Sequence, residues 1–342
     1  MLREKTLLPE ISIHRTWPKN IIENHKYLFK DEIIKFIPEV KIDEISPCLY
    51  SFSGLFKENI LKTIHPFSYQ NKISFINNVK NEIKFNIFEY KHKYIHGKTV
   101  AITDNFSNGY FHWFSDVLPR LFVLQSQNIN FDRLILPSFC LQEKYINESL
   151  LPFNISHIEQ LEPHTRVQLD TLIALSPIAP TGNYRPEIMK GLQFLYRNYF
   201  NINHSKGSFK KIYISRSKAP KRKVINEDEI LFIFDKFGYQ PIIMENLSFI
   251  EQINIIGNAD RLVSLHGAGL TNMLFMPETS KVLEFRFPGD KHNNCYFSLS
   301  NALGFDYYYY IGSSDKKYID PHKDNIYIDP IKLKNILEII DK

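Results

Sequence analysis

The stretch DRLVSLHGAGLTN (residues 260–272) decides how this chain reads. A short apolar run, 261–265, ends in a glycine-rich turn, and a helix-compatible segment, 270–276, follows. In an open α/β sheet such a turn lies at the carboxyl edge of a strand, where ligands bind. Gly267 and Gly269 would let the backbone approach a ligand closely and adopt positive φ. The helix that follows would aim free N–H groups and a positive dipole end at that point, which suits a phosphate. The alternative is a tight strand-to-helix turn that binds nothing.

Outward from this turn, residues 206–311 alternate regularly. Hydrophobic spacing predicts strands at 210–215, 240–244, 261–265, 281–287 and 306–311, with helices at 227–237, 248–256 and 294–303. Asn226 is a candidate N-cap, Gly238 a stop signal, and Ser248 with Glu251 a capping box. Short strands separated by helices imply right-handed βαβ units and a parallel, Rossmann-like sheet. A looser alternation covers 98–175, with strands at 99–103, 133–136 and 167–175 and helices at 110–127 and 141–151. The run 79–94 alternates like antiparallel strands. Pro177, Pro180, Gly182 and Pro186 mark a break near 176–186, and a helix at 187–200 and a polar segment at 201–208 lead onward. The last amphipathic helix is expected at 331–340. The reading is an α/β chain with two Rossmann-like domains facing a central cleft. The first spans 1–180 with an extra N-terminal segment, the second 181–330, and a C-terminal helix fills 331–342.

Composition limits the partners. A length of 342 residues suits two domains of roughly 150 each, and 44% hydrophobic content can fill both cores. The net charge of +5 suits phosphate-bearing ligands or an anionic membrane surface and is too weak to argue for nucleic acid. Neither RNP-like aromatics nor a zinc-finger pattern occurs. Cys48, Cys140 and Cys295 are odd in number and far apart, which indicates neither a disulfide framework nor a structural zinc site. Residues 1–20 hold no apolar h-region, and no window of about 20 apolar residues follows. The expected location is the cytoplasm, with peripheral contact at the inner face of the plasma membrane as its variant.

Three groups of residues could carry chemistry. The loop 215–223, SRSKAPKRK, holds five cations, with Arg216, Lys218 and Arg222 the candidate phosphate ligands. A solvated basic loop is the alternative. Glu284 sits in the apolar strand VLEFRF and could accept both hydroxyls of a ribose, pair with Arg286, or lie on an exposed face. His112 and Asp116, spaced i, i+4 in GYFHWFSDVLPR, would share a helix face as an oriented general base; an ordinary core histidine beside a helical acid is the other reading.

SRSKAPKRKVINEDEI, followed by LSFIEQINIIGNADRLVSLHGAGLTNMLFMPETSKVLEF, resembles the catalytic domain of glycosyltransferase family 61. FHWFSDVLPRLFVL resembles that family's upstream motif, and the resemblance covers about residues 100–290. It implies a GT-B-like fold, an inverting mechanism and a nucleotide-sugar co-substrate, expected to be a UDP-sugar, with no other cofactor. Arg216 matches the basic residue after the family's YISR strand. His266, Gly267, Gly269 and Asn272 match the glycine motif, and Glu284 the carboxylate that follows. With Ala268, Leu270, Thr271, Lys218 and Arg222 they form the expected donor site. His112 and Asp116 form the expected catalytic pair in the acceptor-binding domain. The acceptor is expected to be an oligosaccharide or lipid-linked glycan, in the manner of bacterial capsule or lipopolysaccharide assembly. No metal is expected, since no Asp-x-Asp ends a strand and no HExxH spacing occurs. The rivals are a nucleotide-dependent oxidoreductase, disfavoured by the lack of G-x-G-x-x-G after a strand, and a non-catalytic nucleotide- or glycan-binding protein.

Overall fold

The computed structural model describes residues 2–59, 62–64, 75–88, 91–202, 210–314, 316 and 319–342. The chain divides into two compact units. One holds residues 1–11 and 37–181, the other 12–36 and 182–342.

The second unit is built on five parallel strands, Lys211–Ile214, Tyr239–Ile242, Arg261–Leu265, Lys281–Arg286 and Asp306–Ile311. Their spatial order is 2-1-3-4-5 in chain sequence. The order reverses between the first and third strands, so the loops leaving Ile214 and Leu265 meet at the topological switch point. The predicted alternation is observed here almost residue for residue.

Side chains alternate across this sheet, so each face has its own cover. Tyr213, Val263, Leu283, Phe285, Tyr308 and Tyr310 pack with helices Glu227–Lys236 and Pro330–Ile340 in one buried cluster. The last helix, read from sequence as a separate element, thus belongs to this core through Leu333, Ile336, Leu337 and Ile340. On the other face Tyr307 and Tyr309 meet Phe297 and the N-terminal residues Leu28 and Phe29. Nothing in the sequence signalled that residues 12–36 join this unit. Arg15, almost wholly buried, fixes the segment by donating to Asn183 Oδ1 at 2.8 Å.

Capping follows the sequence with one change. Ser248 and Glu251 form the capping box of helix Phe249–Ile256. Asn226 stands at the N-cap of Glu227–Lys236, but its side chain bonds the backbone of Ile328 instead, at 2.8 and 3.0 Å. Gly238 ends that helix with φ 73°, a left-handed position that glycine adopts without a Cβ clash.

The first unit departs further from expectation. Among the described residues, four of the nine strands in its sheet pair in parallel: Ile158–Leu161, Arg133–Pro137, Lys91–Ala101 and Thr165–Leu175, side by side in that order. Beyond Thr165–Leu175 every pairing is antiparallel. The unit is a mixed sheet, not a fully parallel Rossmann half. Within its parallel part the order reverses between Lys91–Ala101 and Thr165–Leu175, where Ala174 stands opposite Ala101.

The antiparallel strands expected at 79–94 are replaced by helix Phe75–Ile83, a π-turn at Lys84–Phe88 and the strand that starts at Lys91; residues 89–90 lie outside the described part. Val79, Ile83 and Ile87 are spaced by four, the helical period, and strict alternation spans only 83–87. Most of the polar segment expected at 201–208 also lies outside the described residues. Among the described residues no helix is long and apolar enough to cross a membrane.

Candidate active site

Arg216 leaves the end of strand Lys211–Ile214 and lies against the glycine turn. Its Nε donates to the Arg222 carbonyl at 2.8 Å and its Nη2 to the Lys221 carbonyl at 3.2 Å, which closes the basic loop on itself. A Cβ added to Gly267 would sit 2.2 Å from Arg216 Nη1. Gly267 has φ 168°, an extended conformation open to any residue, and Gly269 is not left-handed either. The expected positive φ is therefore not the reason for these glycines. Gly267 makes room for a guanidinium, and at Gly269 a Cβ would crowd Ile214 Cγ2 at 3.2 Å.

The segment after the turn, Ala268–Phe275, is a 3₁₀ helix; Leu270 N–H makes its first bond, to the Gly267 carbonyl at 2.9 Å, and the amides of Ala268 and Gly269 precede it. Ala268 and Gly269 are partly exposed, whereas Leu270, Thr271 and Asn272 are buried. Asn272 donates to Gln252 Oε1 at 3.2 Å and so fastens this helix to Phe249–Ile256. The structure thus brings together Arg216, Arg222, Gly267, Ala268 and Gly269. Lys218 turns away, exposed and bonded to Asn246 Oδ1 at 2.6 Å.

Neither Arg216 nor Arg222 has a carboxylate ion-pair partner among the described residues, and Arg222 Nε is buried with no hydrogen-bond acceptor there. Burial and the neighbouring Arg222 charge hold the Arg216 guanidinium below its ordinary pKa. Guanidiniums without an ion-pair carboxylate, beside the amides of Ala268 and Gly269, are chemically suited to an anion.

His266 and Glu284 make the second feature. Glu284 is fully buried. One oxygen accepts from His266 Nδ1 and the other from the Tyr307 hydroxyl, with Arg286 Nη1 at 3.7 Å. Residues 284, 286, 307 and 309 share one sheet face by strand alternation. Burial raises the Tyr307 phenol well above its ordinary pKa, which keeps it a donor. With Nδ1–H committed to a carboxylate, His266 keeps Nε2 as its free ring nitrogen. Its ring meets Tyr296 edge-on at 5.0 Å. Tyr307 and Tyr296 escaped the sequence reading. The only signal for the former was the run DYYYYI, in which alternate tyrosines must face opposite sides.

In the first unit, His112 and Asp116 are joined as their spacing predicts. His112 Nδ1 lies 2.8 Å from Asp116 Oδ2, and the Thr181 hydroxyl donates to the same oxygen at 3.5 Å. The pair sits on a helix that begins at Tyr110 and widens into a π-turn over Trp113–Val117. Pro119 has no N–H for the Ser115 carbonyl, and Leu118 N–H reaches back five residues to Trp113. The Asp116 hydrogen bond raises the His112 pKa against the opposing effect of burial. Asp116 lines a cavity of about 160 Å³ together with Asp104, Ser115, Arg120 and residues 177–181. These loops leave Ala101 and Leu175, the two strand ends at the order reversal. Asp104, Ser115 and Arg120 were not singled out from sequence, although a charge after Pro119 in the apolar run LPRLFVL was a visible signal. Among the described residues no group of three or more His, Cys, Asp or Glu is placed to hold a metal ion.

A family model described as Glycosyltransferase 61 matches residues 110–283, just over half of the chain, and runs from the His112 helix through the glycine turn. The EGF domain-specific O-linked N-acetylglucosamine transferase of Drosophila melanogaster is 39% identical over 98 residues, 28% of this chain and 18% of that protein. The protein of the same name from Bos taurus is 32% identical over 118 residues, 33% of this chain and 22% of its own. The Protein O-linked-mannose beta-1,4-N-acetylglucosaminyltransferase 2 of Xenopus tropicalis is 31% identical over 115 residues, 32% of this chain and 20% of its own. The chain thus matches about a fifth of the length of these relatives. Read with the geometry of both units, the family match leads to one conclusion: the chain belongs to glycosyltransferase family 61.

Proposed function

We propose that this protein is an inverting, metal-independent glycosyltransferase of the GT-B type that moves N-acetylglucosamine from a UDP-linked donor to a glycan hydroxyl. The observation that carries the donor half is the pair Arg216 and Arg222, without carboxylate partners, beside the glycine turn. The diphosphate binds there, against the amides of Ala268 and Gly269. The choice of sugar rests on the printed names of the relatives, and the capsule or lipopolysaccharide setting rests on the motif resemblance.

His112 Nε2 takes the proton of the acceptor hydroxyl, and Asp116 holds the ring through Nδ1. The acceptor oxygen bonds to the anomeric carbon, and the carbon–oxygen bond to the diphosphate breaks. The bonding pair leaves with the diphosphate, where the two guanidiniums and the turn amides stabilise the growing charge. Glu284 positions the His266 ring through Nδ1, and a protonated His266 donates from Nε2 toward that charge.

Incubation of the protein with UDP-, GDP- and CMP-sugars, with free nucleotide as readout, tests this reading. Slow hydrolysis of a UDP-sugar, lost in Arg216→Ala, is expected. Binding of no nucleotide, or equal turnover in Arg216→Ala, refutes the donor site.

A further inference from the structure

We infer that the N-terminal segment 12–36 serves the donor site from within: Phe29 is a positioning residue that holds the His266 ring through Arg286, Tyr307 and Glu284. The inference rests on the proposed role of His266 at the leaving diphosphate and adds the residues that fix its ring.

A chain of donors runs from the interior to the glycine turn. Arg286 donates through Nη2 to the Asp290 carbonyl at 2.9 Å and through Nη1 to the Tyr307 hydroxyl oxygen at 3.4 Å. The Tyr307 hydroxyl donates to one oxygen of Glu284, and the other oxygen accepts from His266 Nδ1. The direction of this chain is fixed. A guanidinium only donates, and the tyrosine hydroxyl has a single proton, which goes to the carboxylate. Glu284, Arg286 and Tyr307 are all at most 2% exposed, so each depends on its protein partners and a shift in one passes to the next.

Phe29 closes the inner end of the chain. Its side chain is fully buried, and the Arg286 guanidinium lies over its ring, 4.9 Å from the centroid. The negative face of the ring attracts that cation. The same ring meets Tyr307 edge-on at 6.2 Å. Arg286 Nε has no hydrogen-bond partner among the described residues, so fewer hydrogen bonds fix the guanidinium and the ring matters more to its placement. The backbone beside Phe29 is pinned in turn, because the Leu28 carbonyl accepts from Asn294 Nδ2 at 2.9 Å. Phe29, Arg286 and Tyr307 all lie outside residues 110–283, the part that the family model matches. The support behind His266 thus comes from chain on both sides of that part.

Ordinary core packing would explain a buried Phe29 and would predict lost stability alone. Phe29→Leu separates the two roles, since it keeps a bulky apolar side chain and removes the π face. The test uses the whole chain with ¹⁵N-labelled histidine. The ring nitrogen resonances of His266, assigned by their loss in His266→Gln, report the bond to Glu284 without any substrate. Phe29→Leu is expected to shift them and to lower kcat by up to about 10²-fold, the scale of misplacing a group by about 1 Å, with nucleotide affinity by calorimetry little changed. Arg286→Lys, which keeps the charge and loses the planar fork, is expected to act in the same direction. Phe234→Leu removes a fully buried ring from the cluster on the opposite sheet face and should lower stability alone. If Phe29→Leu fails to fold, Tyr307→Phe, which removes one hydroxyl, decides by the same resonances. Shifted His266 resonances in a protein that transfers no sugar would uphold the positioning and refute the proposed function. Unchanged His266 resonances in folded Phe29→Leu would overturn the inference, and so would an equal shift in Phe234→Leu.

Discussion

Arg216 occupies the space that a side chain on Gly267 would take, with its Nη1 2.2 Å from where a Cβ would stand. The glycine is required by the arginine, not by its own backbone, because φ 168° is accessible to alanine. Gly267→Ala should therefore displace the guanidinium without backbone strain. Nucleotide affinity should fall about tenfold or more, the scale of one charged hydrogen bond at ~1.5–3 kcal/mol. In an Arg216→Ala background the same substitution should cost little. A double-mutant cycle by calorimetry checks this coupling, and additive losses would separate the two residues.

The His112 hydrogen bond to Asp116 sets the expected pH profile. It raises the His112 pKa above the ordinary value of about 6.5. A general base must be neutral, so kcat/KM should rise with pH through a value above 6.5. Asp116→Asn should move that limb down and lower turnover by ~10²–10⁴ if the carboxylate is needed for the base. His112→Ala should lower turnover at least as far with donor affinity little changed, and the two losses should not add.

Linkage supplies an independent readout of the same pair. A histidine whose pKa is raised on folding lends stability that is fully present below its unfolded value of about 6.5. That stability is lost as pH rises through the folded value. Asp116→Asn should therefore destabilise the protein more at pH 5.5 than at pH 8.5. Denaturant melts at the two pH values measure the difference; an equal loss at both would show that the pair does not charge on folding.

Glu284 is fully buried beside Arg286, itself 2% exposed. Removing one member of such a pair leaves a charge without its counterion. Glu284→Ala should cost ~3–5 kcal/mol in urea unfolding. Tyr307→Phe should cost less, about 1–3 kcal/mol, because it frees only one oxygen of the carboxylate. Glu284→Gln keeps the shape but cannot hold His266 as a carboxylate does, so its larger defect should appear in turnover.

Exhaustive EDTA treatment should leave transfer intact. The positive charge that offsets the leaving diphosphate is supplied by Arg216, Arg222 and the turn amides in this scheme. Complete loss of turnover, restored by Mn²⁺ or Mg²⁺, would reveal a metal requirement.

What the sequence determined by itself was local. Strands of four to six residues and helices of eight to ten around residues 210–311 were legible because their periodicities, caps and glycine stops act over one or two turns of chain. The pairing of His112 with Asp116 was legible for the same reason, since four residues of helix bring them together. The run 79–94 misled because two periods overlap in it. Everything that depends on register or on loops meeting at a sheet edge was decided by the tertiary structure. Glu284 faces His266 and Tyr307 because Ser264 pairs with Glu284 and Val282 with Tyr307, which sets the three side chains on one face. Arg216 finds Gly267 because the strand order reverses between two strands fifty residues apart. Asp104, Ser115 and Arg120 share a cavity only because residues 177–181 close it from the end of a distant strand. Such contacts join residues far apart in the chain, and no local spacing records them.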